Sequence, residues 1–141
     1  VQRQKRQMSV VLYNKTVSVP CIGLLDSGNL LTMPLSGNPV HIADAALLQK
    51  LVDEKTVQKE IEYRALGNPH GKLQVYCMDG MKVETEPAKF CDWKQVWVGC
   101  AENGVLCNKP YQLILHASVA DHCGCTKRSI PNDKKTEKGE T

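Results

Sequence analysis

The sequence predicts a mostly β fold of short strands with one or two short helices, and three observations carry that prediction. Short apolar runs recur along the chain, most of them bounded by Gly, Asn, Pro or Asp turn signals. Two pairs of runs are spaced as hairpins: Ser9–Tyr13 with Thr16–Val19 around Asn14-Lys15, and Ile61–Leu66 with Lys72–Cys77 around Gly67–Gly71. Only the stretch after Asp44 shows a strong helical spacing of apolar residues.

With 141 residues, of which 42% are hydrophobic, the chain is one domain with enough apolar material for a core. It begins with Val rather than Met, so a piece of a longer protein is expected. Residues 1–8 read as a basic arm, 9–122 as the folded domain and 123–141 as a disordered, charged tail containing Cys123 and Cys125. The net charge of +3 belongs to the ends: residues 1 to 7 hold +3 and residues 126 to 141 hold +2, which leaves −2 between them. With no basic-aromatic stripe and 5% aromatic residues, a nucleic-acid partner is not expected. Seven cysteines leave at least one thiol unpaired, and no secretory signal precedes them, so free thiols are expected. His122, Cys123 and Cys125 do not have the spacing of common zinc knuckles, so no metal or other cofactor is expected.

Taken in order, the first hairpin ends at Pro20, which separates it from the apolar run Cys21–Leu25. Two prolines between Thr32 and Val40 rule out a central helix and predict a loop leading into a short strand. Asp44 then caps a helix whose apolar face is Leu47, Leu48, Leu51 and Val52. The second hairpin follows, with a glycine-edged tip suited to motion. Met78-Asp79-Gly80-Met81 reads as another turn, between strand candidates ending at Cys77 and starting at Met81. A further strand candidate spans Lys94–Val98, followed by a turn at Glu102-Asn103-Gly104. Tyr111–His116 is the last apolar run, and a short helix opens at Ala117.

The run Cys21–Leu25 ends on Asp26-Ser27-Gly28, placing a carboxylate where a buried strand breaks into a tight turn. Two apolar residues followed by Asp-Ser-Gly resemble the active-site turn of aspartic proteases. Leu24-Leu25-Asp26-Ser27-Gly28-Asn29 followed by Pro34-Leu35 and Pro39-Val40 is similar to a segment of the sporulation sigma-E factor-processing peptidases, the stage II sporulation protein GA family. Ile61–Gly67, Gly71-Lys72-Leu73 and Tyr111–His116 resemble later blocks of that family, so the likeness covers roughly residues 9 to 122. Met33 stands where the family has Asp, Ala117 where it has Pro, and the last apolar run lacks the Gly of retroviral proteases.

The resemblance implies a retropepsin-like closed barrel or sandwich acting as a homodimer, with Asp26 catalytic and Ser27 and Gly28 supporting its turn. It implies an endopeptidase that removes the amino-terminal prosequence of a sigma factor precursor, needing no cofactor and an activating protein partner. It also implies a membrane-embedded segment ahead of residue 1, with this domain on the cytoplasmic face of the cell membrane. Carboxylate hydrolysis of a peptide needs an acid and a base together, and this chain has a single Asp-Ser-Gly motif, so the second Asp26 must come from another copy. Two other readings compete: a non-catalytic protease-like interaction or dimerisation domain, and a thiol-rich metal-binding domain. His41, His70, His116 and His122 form no nucleophilic pattern and read as structural, and Tyr63 and Arg64 as fold or dimer contacts.

Overall fold

The computed structural model describes residues 5–65, 68–102 and 104–122. Seven strands are present among them: β1 (Lys5–Asn14), β2 (Val17–Asp26), β3 (Val40–Ala43), β4 (Gln58–Ala65), β5 (Asn68–Glu86), β6 (Lys89–Cys100) and β7 (Leu113–Leu115). Helix α1 (Ala45–Leu51) follows β3, and a 3-10 helix (Ala117–His122) follows β7. The sheet runs β1-β2-β7-β3-β6-β5-β4, and β1 also pairs with β5. That extra pairing closes six strands into a barrel and leaves β4 as a flap on the outer part of β5. The predicted mostly β class with few short helices is what the chain adopts.

Period-2 burial explains the barrel wall. Met8, Val10, Leu12 and Asn14 of β1 are buried at alternate positions, and the three apolar ones share a core with Met78, Met81, Val83, Val98, Leu113 and Leu115. Leu47, Leu48 and Leu51 of α1 join the same cluster, each burial being worth about 1.5–3 kcal/mol. Asp44 is the N-cap as predicted, but its side chain makes no capping bond; its carbonyl accepts the first helical N–H groups instead. Asn14 is the polar exception on the inner face. Its Nδ2 donates to the Leu51 carbonyl (2.9 Å) and to Thr56 Oγ1 (3.2 Å), tying the end of β1 to the end of α1. A smaller cluster of Met33, Val40, Ile61, Leu73 and Val75 lies between the β4–β5 hairpin and β3.

Three sequence expectations are corrected. Lys5–Met8, assigned to the basic arm, are the start of β1 and pair with Gly23–Asp26. Pro20 does not end the hairpin, because β2 runs through it. Ile22 directs its N–H to Gln112 Oε1 and its carbonyl to the Gln112 N–H (both 3.0 Å), away from β1. Two residues earlier Pro20 has the same outward orientation, and β7 covers only Gly23–Leu25, so the missing N–H breaks no ladder bond. Met78–Met81 is not a turn but the middle of β5, laddered to β6 and, at Gly80 and Met81, to β1. Met78 and Met81 are fully buried, while the Asp79 carboxylate accepts the Lys15 N–H (2.6 Å) and secures the β1–β2 turn. Both predicted hairpins form. The second stays paired to Ala65 and Asn68, and its predicted tip residue Gly67 lies outside the described residues. The tail from Cys123 and the turn residue Asn103 also lie outside them.

Candidate active site

β2 carries Asp26 out of the barrel. At Gly23–Leu25 it is held on both sides, antiparallel by β1 and parallel by β7, so the strand is fixed up to the residue before the carboxylate. Asp26 ends the strand with 7% of its surface exposed, and Ser27 and Gly28 turn outward. The turn closes through an Asn29 N–H bond to the Asp26 carbonyl (2.9 Å). Gly28 N–H donates to Asp26 Oδ1 (2.9 Å), which sets the carboxylate's orientation by a local Asx turn. The predicted Asp26-Ser27-Gly28 turn is thus present as a unit.

Asn29 does more than the sequence reading allowed. Its Nδ2 donates to the Val40 carbonyl (3.3 Å), its Oδ1 accepts the Leu31 N–H (3.2 Å) and its carbonyl accepts the Ala117 N–H (2.9 Å). One side chain and one carbonyl therefore link the turn to β3, to the next loop and to the 3-10 helix. The signal was present, since Asn after Asp-Ser-Gly is a residue that bonds backbone in turns, but its long-range partners are invisible locally.

Tyr111–His116 lies where a floor for this turn is needed. Its strand β7 runs between β2 and β3, Leu115 pairs with Leu25, and the Gly absent from the motif is not required for that pairing. Directly after it, the His116 N–H donates to His41 Nδ1 (3.0 Å), and His116 Nδ1 accepts the Ser118 N–H (3.0 Å). Burial, reinforced by neighbouring His116, pushes the His41 pKa down from 6.5 to about 3, and burial also lowers that of His116. Both rings are uncharged acceptors near neutral pH: that of His41 pins the end of β7 to β3, and that of His116 holds the start of the 3-10 helix. His122 stacks edge-on to Trp93 (5.0 Å), and the side chain of His70 lies outside the described residues.

A groove of about 630 Å³ opens beside the turn. Gly28, Asn29, Leu30 and Leu31 form one wall, and Tyr63 and Leu73 of the β4–β5 hairpin form another. Ile42 lies between them, and Ala101, Glu102 and Val105 close the far side. Tyr63, read from sequence as a fold or dimer contact, is therefore a groove residue as well. The other strongly engaged carboxylates are elsewhere: Asp53 pairs with Lys15 (3.0 Å), and Asp92 accepts from Tyr13 Oη (2.8 Å) and pairs with Lys94 (3.1 Å). Among the described residues no three His, Cys, Asp or Glu side chains are grouped to hold a metal, and Cys21, Cys77, Cys91, Cys100 and Cys107 are free thiols.

Together these features define a class: a small closed β-barrel with an aspartate turn at the rim of a largely apolar groove. The chain belongs to the sporulation factor SpoIIGA family, a peptidase family whose model matches residues 1–119. That match takes in the Asp26 turn, the hairpin and β7, and makes the chain a sporulation-associated protease. No curated protein and no solved structure matches it.

Proposed function

We propose that the protein is an aspartic endopeptidase that removes the amino-terminal prosequence of a sporulation sigma factor precursor, pro-sigma-E, using Asp26 from each of two chains. The observation that carries the reading is Asp26 itself: a nearly buried carboxylate at a strand end, oriented by Gly28 N–H, beside a groove. The carboxylate that shapes this turn also stands beside the groove, and that placement supports a role in chemistry.

Two such carboxylates brought together across a two-fold axis share one proton, because both cannot stay ionised side by side. The ionised member takes a proton from water, and the water oxygen bonds to the scissile carbonyl carbon while the protonated member gives its proton to the carbonyl oxygen. The first member then passes its proton to the nitrogen while a hydroxyl of the tetrahedral intermediate returns one to the second member, so the C–N bond breaks, an acid and an amine leave, and the pair again holds one proton. The two groups titrate as one unit. The engagement of Asp53, Asp79 and Asp92 in structural bonds supports a second acid from another copy. The same reading includes a membrane-embedded segment ahead of residue 1, placement of this domain on the cytoplasmic side, and an activating protein partner. No helix of the described residues is long and apolar enough to cross a membrane.

Co-expression with the precursor tests the activity: Asp26→Asn, which keeps shape and loses the proton-carrying carboxylate, is expected to abolish processing with the fold intact. Retained processing by a folded Asp26→Asn protein refutes the reading. Mixing tests the shared pair. Under random pairing, an approximately ninefold excess of Asp26→Ala chains reduces activity per wild-type chain to about one tenth. An active monomer, undisturbed by Asp26→Ala chains, rules out the two-chain mechanism.

A further inference from the structure

The groove also carries information about what is cut. Leu73 and Ile42, which sit on different strands, meet above β6 at Gly99. A Cβ on Gly99 would stand 2.5 Å from Leu73 Cδ2 and 3.3 Å from Ile42 Cδ1, so both side chains lie down on the β6 backbone only because that residue is Gly. Leu73 is buried and belongs to the cluster of Met33, Val40, Ile61 and Val75, with Ile42 and Tyr63 packed against it. The floor beneath the groove is therefore backed by packed core rather than by solvent.

Around that floor the chemistry is one-sided. Among the described residues, Leu30, Leu31, Tyr63 and Val105 present apolar surface, no Lys or Arg lines the space, and the exposed Glu102 is the charged lining residue. A volume of about 630 Å³ lies within the range of about 300–1,000 Å³ usual for ligand sites and is ample for a large side chain. An acidic side chain would meet the Glu102 carboxylate and, among the described residues, no cation to offset its desolvation, whereas an apolar one gains by leaving water.

Building on the endopeptidase reading, we propose that this groove is the specificity subsite: it accepts a large apolar side chain of the substrate next to the scissile bond. Its depth is set by Leu73 and Ile42 lying on Gly99. Trimming either side chain deepens the pocket, and adding a methyl to Gly99 lifts both and makes it shallower.

The test is cleavage-site profiling in sporulating cells that lack their own copy, where the activating partner is present: the full-length protein is expressed with a precursor library randomised around the cut, and the products are read by mass spectrometry. Wild type is expected to favour Leu, Met or Phe at one position relative to the cut. Leu73→Ala shifts that position towards Phe and Trp, and Gly99→Ala towards Val and Ala, each by about tenfold in relative cutting, since a methylene in an apolar pocket is worth that much. Ile42→Val, which removes the methyl that faces Gly99, shifts it in the same direction as Leu73→Ala and serves if the larger truncation does not fold. The inference is overturned if folded variants cut with the wild-type profile, or if wild type prefers charged side chains or nothing at every position. If wild type cuts no precursor in those cells, the endopeptidase reading falls and the subsite falls with it. Cutting with an indifferent profile sinks the subsite alone.

Discussion

Acid should loosen the base of the Asp26 turn, and His41 sets the size of the effect. His41 is buried, and its Nδ1 accepts the N–H of His116, the residue that follows the strand alongside β2. Its pKa falls from 6.5 to about 3 on folding, so the folded ring refuses a proton that the unfolded ring accepts. Stability from this group is fully present above pH 6.5 and is lost as pH falls from there towards 3. Each pH unit in that window costs about 1.4 kcal/mol, so at pH 5 the loss is about 2 kcal/mol. His116, shifted the same way by burial, adds to it. Against a total stability of about 5–15 kcal/mol for a domain, that is a readily measured fraction. Urea denaturation at pH 8 and pH 5, at fixed protein concentration, should show the loss in wild type. His41→Asn keeps an acceptor for the His116 N–H and removes the titrating ring, so the variant should lose about 2 kcal/mol less than wild type between those pH values. An unchanged pH slope in a folded His41→Asn protein would refute the assignment of the effect to His41.

Other substitutions probe the groove and its support. Gly71→Ala places a methyl 2.5 Å from Tyr63 Cζ and displaces that ring, and cleavage should fall by about 10- to 100-fold; a steady-state kcat/KM equal to wild type would show that Tyr63 has no part in binding. Asn14→Ala leaves the Leu51 carbonyl without its side-chain donor, and urea titration should record a loss of about 1–3 kcal/mol, with no change expected in the cleavage profile.

Much of this protein was legible from local rules. The alternation of Met8, Val10 and Leu12 determines an inner and an outer face whatever the strand pairs with, and Leu47, Leu48 and Leu51 can share a face only in a helix. The Asp26-Ser27-Gly28 turn is equally local, since the bond that orients the carboxylate reaches only two residues along the chain. What the tertiary structure decided lies at long sequence separation. Pro20 and Asp79-Gly80 carry strong turn signals, yet both lie within strands because partners from distant segments, and burial of Met78 and Met81, outweigh a preference worth little on its own. β7 reaches β2 across some ninety residues, and the groove draws its walls from the Asp26 turn, β3, the second hairpin and the loop after β6. No window of sequence contains those contacts. They exist because closing the barrel buries one shared core, which pulls into register strands whose own patterns name a face but not a neighbour.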